Sequence, residues 1–336
     1  MPKVNLNRLI DAWDPILKKA FLESISKITS EAQIEQIAKA IQDGALEAAL
    51  KAAGVDPVMF RPFDRAIGSA FEAGGSITTS GFPTVGNAGE LKTVFQFDVR
   101  NPAAERWLKE YSSSLITEIV DDQRNMIQQV IARGVADGNN PREIALDLVG
   151  RIGPDGRRAG GLIGLTSSQA EWVQNYYDAL SSDDPSDALG YSLRDQRFDA
   201  AVQRAIDSGE PLSEDQINTM TTAYTNRALR YRAEAIARTE SMAALHEAQQ
   251  QAIQQAIDSG GVDKENVYMI WRTTHDKRTR EIHKAMDGQR VRIGEMFVDG
   301  NGNELAYPGD PNAPAETVIN CRCWLEPAID FYAGLE

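Results

Sequence analysis

The sequence predicts a mainly α protein, with an elongated helical body, a long spine helix and a small C-terminal α+β module. Three observations carry this expectation. Aromatic residues make up 7% of the chain against 42% hydrophobic residues in all, and the proline-free stretches are rich in Ala and Gln, a composition that favours helices over sandwiches or barrels. Helix-start signals recur along the chain. One apolar stripe, at steps of three and four, continues from 214 to 258 without a Pro or Gly.

The elements follow in order. Ser30 with Gln33, Thr166 with Gln169 and Ser213 with Gln216 each fit a capping box, in which a hydroxyl and an amide satisfy two free N–H groups reciprocally. Asn101-Pro102 and Asn140-Pro141 each set an N-cap residue before a proline suited to the first helical position. These five starts predict helices over 30–53, 102–134, 141–150, 167–180 and 214–258. In the last, Ile217, Met220, Tyr224, Ala228, Tyr231, Ala235, Thr239, Met242 and Leu245 share one face, and Gly260-Gly261 stops the helix. The Gly/Ser/Thr-rich stretch 73–90 reads as a loop or mobile arm that orders on binding, and 181–190 reads as an acidic connector. After Gly261, Val267 to Trp271 is a β-prone run, His275 to Met286 is helix-like and charged, and Asp287-Gly288 signals a turn. Gln289 to Ile293 and Glu295 to Val298 are candidate short strands, followed by an irregular Gly/Pro-rich segment.

With 336 residues the chain is long enough for two or three domains, and the composition shifts suggest 1–100, 101–260 and 261–336. The net charge of −14 argues against a surface that grips nucleic acid everywhere. Charge is uneven, however. Asp183 to Asp215 holds nine acidic residues against three arginines, whereas Arg272 to Arg292 holds seven basic against three acidic. The N-terminal stretch lacks the uninterrupted apolar core of a signal peptide, and no run approaches the roughly 20 apolar residues of a membrane helix. Two cysteines, Cys321 and Cys323, stand too close for an unstrained disulfide. Together these features predict a protein made in a reducing cytoplasm, without membrane partners.

Several motifs then fall into a recognisable order: Ile236-Ala-Arg-Thr-Glu240; Trp271; His275-Asp-Lys-Arg-Thr-Arg-Glu-Ile-His283; Met286-Asp-Gly288; Tyr307-Pro-Gly-Asp-Pro311; and Ile319-Asn-Cys-Arg-Cys323. In this order and at these separations the set resembles the phage head morphogenesis family, the Mu F-like minor head proteins, most specifically over 226–326. Phe95-Gln-Phe-Asp-Val-Arg-Asn-Pro102 and Ser192-Leu-Arg-Asp195 look like the upstream body of the same proteins. The resemblance implies a minor capsid protein of the virion, made in the host cytoplasm and associated with the portal vertex. It also implies capsid or scaffold partners and a part in head morphogenesis and DNA packaging or ejection. Residues 1–90 match no pattern of the family.

The residues themselves leave four chemical readings open. A structural clasp would join Arg238 and Glu240 of the spine to Asp276, Arg278, Arg280, His283, Asn320 and Arg322, because a guanidinium donates paired hydrogen bonds to a carboxylate. On a continuous helix, Asp276 with Arg280 and Lys277 with Glu281 would be i,i+4 ion pairs. No cofactor is otherwise expected, but His275, His283, Cys321 and Cys323 have the ligand types for zinc, provided that His275 folds back from a preceding loop; alternatively the cysteines are small buried residues locking the C-terminal strand. Arg272, Lys277, Arg278, Arg280, Lys284, Arg290 and Arg292 would meet DNA phosphates without sequence preference, or an acidic protein surface. Finally, His283, Arg278, Arg280 and Glu240 could be arranged as a phosphodiester-cleaving set, the alternative to a non-enzymatic role.

Overall fold

The computed structural model describes residues 6–82, 95–153 and 156–330. In chain order the helices are α1 (Leu6–Glu31), α2 (Ile34–Gln42), α3 (Leu46–Ala53), α4 (Arg61–Ser80), α5 (Pro102–Ala136), α6 (Pro141–Val149), α7 (Ser167–Ser181), α8 (Asp199–Ser208), α9 (Glu214–Asp258), α10 (Glu281–Lys284) and α11 (Ala315–Val318). The strands are β1 (Arg151–Ile152), β2 (Arg158–Ala159), β3 (Val267–Arg272), β4 (Arg290–Arg292), β5 (Phe297–Val298), β6 (Glu304–Leu305) and β7 (Trp324–Ile329). The protein is mainly α, as its sequence predicts.

The caps explain where the helices begin. Thr166 and Gln169 form the full capping box of α7, and Ser213 and Gln216 exchange the same pair of bonds ahead of α9. Asn101 and Asn140 cap α5 and α6 through bonds to the N–H groups of Ala103 and Arg142. The expected helix over 30–53 does not form. Ser30 lies in the last turn of α1, its hydroxyl turned back to the Lys27 carbonyl, and the chain turns again at Gly44, whose φ of +67° suits a residue without Cβ. The helix-like pattern of 275–286 also shortens, to α10 alone, because His275 takes a positive φ of 53° and Asp276 turns back to cap the Arg278 N–H.

Two compact units divide the chain. The first gathers the described residues of 21–62 and 114–233. Its α2 packs against α3 and α6, and β1 and β2 form a small antiparallel pair. A core under α7, α8 and the start of α9 joins Leu165, Val173, Leu180, Val202 and Met220. Within it Tyr176 stacks on Tyr224 at 4.4 Å between ring centres. Buried Gln123 crosses this unit, donating to the Leu165 carbonyl at 2.7 Å and accepting from the Gly164 N–H. The Ser192–Asp195 motif closes a turn here: Arg194 pairs through two bonds with Asp199, and buried Asp195 takes Arg197 and Arg227.

The second unit gathers the described residues of 1–20, 63–113 and 234–336. Its core joins Leu6 and Ile10 of α1, Met242, Leu245 and Ile253 of α9, and the C-terminal module from Val267 to Leu325. The module's sheet has the order β4-β3-β7, all antiparallel. Alternation along β3 buries Val267, Met269 and Trp271 while Tyr268, Ile270 and Arg272 face outwards. From Ser241 to Gln249 every residue of α9 is buried, so the stripe expected on one face closes around the helix. Tyr231, expected on that stripe, is instead 45% exposed.

The Gly/Ser/Thr-rich stretch supplies the clearest correction. Residues 73–80 are the last turns of α4, and 83–90 lie outside the described residues. Gly74 is small because α9 is in the way: a Cβ there would stand 2.9 Å from the Leu245 carbonyl oxygen and 3.1 Å from the Ala248 Cβ. Thr78 and Thr79 return their hydroxyls to the Gly74 and Gly75 carbonyls, which lets polar side chains sit buried in a helix. The composition of a loop here serves close helix packing.

Candidate functional site

The family-like motifs of the second unit converge on α9. Tyr307 stacks over buried His246, ring centres 6.4 Å apart. Gly309, at a φ of +86°, lies where a Cβ would come within 3.0 Å of the Ala243 backbone nitrogen. Buried Asp310 closes that loop by accepting from the Ala306 and Asn312 N–H groups. The segment Tyr307–Pro311 is therefore an anchor pressed on the helix. His246 ties α9 to β7: its Nδ1 meets the Met242 carbonyl at 2.8 Å and its Nε2 accepts from the Leu325 N–H at 3.3 Å. One neutral tautomer satisfies both bonds, and burial, with the Arg238 charge, pushes the imidazole down to about 4.

The clasp residues fall into two linked sets. Asp276 receives both terminal nitrogens of Arg322, one at 2.6 Å. This guanidinium holds the Asp276 carboxyl well below the usual carboxylate range; partial desolvation opposes it, and the Arg278 N–H and charge reinforce it. Arg280 donates to the Ile319 carbonyl. Asn320 takes a left-handed φ of 56°, a conformation that Asn tolerates better than most residues, and its N–H points at the Thr239 hydroxyl 3.5 Å away. On α9, Arg238 donates to the Cys321 carbonyl at 3.3 Å and to Asp11 and Asp14 of α1 at 2.9 and 2.6 Å. Glu240 accepts from Tyr111 of α5. The i,i+4 pairing of Asp276 with Arg280 is replaced by Asp276–Arg322, since 275–280 is a turn.

Of the residues considered as metal ligands, His283, Cys321 and Cys323 are brought together, all buried, with ligand atoms within 4.8 Å of one another. His275 stands apart, 71% exposed, with Nε2 3.4 Å from Asp287. Beside the buried trio a polar depression is lined by Thr274, Thr279, Arg280, Asn320 and Arg322.

The seven basic candidates divide as well. Arg272, Arg290 and Arg292 share the outer face of the sheet, with Arg290 3.8 Å above the Tyr268 ring. Arg272 is paired with Glu326 and Arg292 with Glu265. Lys277, Arg278, Arg280 and Lys284 lie on the 277–284 segment, where Lys284 pairs with Glu281. His283 of the cleavage reading is 2% exposed, with its Nδ1 against two sulfurs, so this imidazole is turned inward and away from solvent.

Sequence reasoning missed Asp11, Asp14, Tyr111 and His246. Only His246 carried a signal, as a lone histidine inside the stripe of a helix that becomes buried on all sides. The others are recognisable only once distant elements meet.

A module whose motif residues bond to one another and to a long helix has the character of a structural element. The family model described as Phage Mu protein F like protein matches residues 196–326, and over that stretch the chain is similar to the phage head morphogenesis family. Comparison with curated proteins and with solved structures gives no match. Among the described residues no helix is long and apolar enough to cross a membrane.

Proposed function

We propose that this protein is a minor capsid protein of the virion, working at the portal vertex in head morphogenesis and in DNA packaging or ejection. The family match over 196–326 carries this reading. The clasp supports it: Arg238 of α9 bonds to the Cys321 carbonyl of the module, and the Asp276–Arg322 pair fixes the module's own turn, an arrangement suited to transmitting load and presenting a surface. Its partners are the portal protein and the capsid or scaffold protein, met during assembly in the host cytoplasm. Phage DNA is a further, sequence-independent partner through the outer face of the sheet, where Arg290 stacks on Tyr268 and Arg272 and Arg292 pair with Glu326 and Glu265.

Co-expression of the tagged chain with the portal protein of its phage tests the reading. Co-purification of portal is the expected result, whether or not capsid or scaffold protein also binds. Capture of capsid protein alone would move the binding site to the shell and overturn the portal assignment.

A further inference from the structure

We propose that His283, Cys321 and Cys323 form a zinc site inside the C-terminal module, with the fourth coordination position opening on the polar depression beside it. The inference stands on geometry within the module and does not depend on the portal assignment. His283 Nδ1 lies 3.6 Å from the Cys321 Sγ and 3.5 Å from the Cys323 Sγ. A tetrahedral ion with Zn–S of about 2.3 Å and Zn–N of about 2.0–2.1 Å would separate such ligand atoms by about 3.5–3.6 Å. A single proton on Nδ1 can point at one sulfur; two near-equal approaches describe donors arranged around a shared centre.

The surroundings suit thiolate ligands. The Cys323 N–H donates to the Cys321 Sγ at 3.4 Å. The buried Trp271 indole N–H finds no acceptor at ordinary hydrogen-bond distance. The His283 Nε2 is buried without a hydrogen-bond partner, so one ring nitrogen is unsatisfied while the other faces two sulfurs. Thr274, Thr279 and Asn320 line the depression around the trio and leave room for a water as fourth ligand. Soft thiolates with one imidazole select zinc over the hard cations.

The ion would have a structural use. It would tie α10 to the turn at 319–323 that leads into β7, in a module whose helices are one turn long and whose strands, β3 and β7 apart, run two or three residues. Where regular structure is this sparse, metal binding contributes directly to folding.

Elemental analysis of the full chain, purified with reductant and without chelator, tests the proposal. About one zinc per chain is expected, falling to background in the Cys321→Ser/Cys323→Ser double variant and in His283→Ala, and staying in His275→Ala. Because losing a ligand can also unfold the module, cobalt(II) titration of the metal-stripped wild-type chain is the second readout. Thiolate-to-cobalt charge-transfer and tetrahedral ligand-field absorption should saturate at one equivalent and vanish on adding zinc. A folded, reduced wild-type chain that carries no zinc and develops no such absorption would overturn the site, as would full zinc retention by the double variant.

Discussion

Single residues decide how the module is held, and Asp276 is the most exposed to test. Its carboxylate takes both nitrogens of Arg322 from 46 positions away. The depressed titration of Asp276 means that its stabilisation is fully present above the unfolded value of about 3.9 and is lost as pH falls further towards the folded value. Asp276→Asn should therefore lower the melting temperature at neutral pH and flatten its decline below pH 4. Arg322→Lys should not restore the wild-type value, since an ammonium cannot make the paired bonds. Equal melting of wild type and both variants would remove the clasp from the account. His246 gives the opposite kind of signal. Its folded value of about 4 lies below the ordinary 6.5, so the unfolded chain takes up a proton that the native helix refuses. Stability falls as pH drops from about 6.5 and levels off near 4, by about 3 kcal/mol in all. Urea titrations across that range should show this loss in wild type and not in His246→Gln; parallel curves would contradict the neutral tautomer.

Elements show how far local pattern reaches. The helix from 214 to 258 was legible to the residue, because a capping box, an uninterrupted stripe and a closing glycine pair are all local signals. The β-prone run of β3 and the existence of a C-terminal module were legible too, though not which strands pair with it. What escaped the pattern was decided by contact. The end of α4 reads as a loop because Gly74 and Gly75 weaken helix propensity, yet they are required where α4 meets α9. Gly74→Val should cost about 1–3 kcal/mol through overpacking against Leu245 and Ala248, measured by denaturant unfolding, whereas a loop at this position would tolerate the change. The turn at 275–280 was misread for the same reason: its charges look like i,i+4 partners until Arg322 arrives. Of the metal-ligand set, ligand type was legible from the sequence, but only the fold separates His275 from His283.

At the scale of the whole molecule, the chain returns to each compact unit from distant parts of its sequence, so 1–20, 63–113 and 234–336 share one core. Residue types along the chain announce helices and motifs, but not that α1 supplies Asp11 and Asp14 to Arg238 of α9. Those contacts join the N-terminal helix, the spine and the module into one body within that unit, which suits the role proposed at the portal vertex. Sedimentation of procapsids assembled with and without portal, probed for this chain, tests that role most directly. The account predicts recovery in low, fixed copy number only when portal is present; equal recovery without portal, or none in either case, would contradict it.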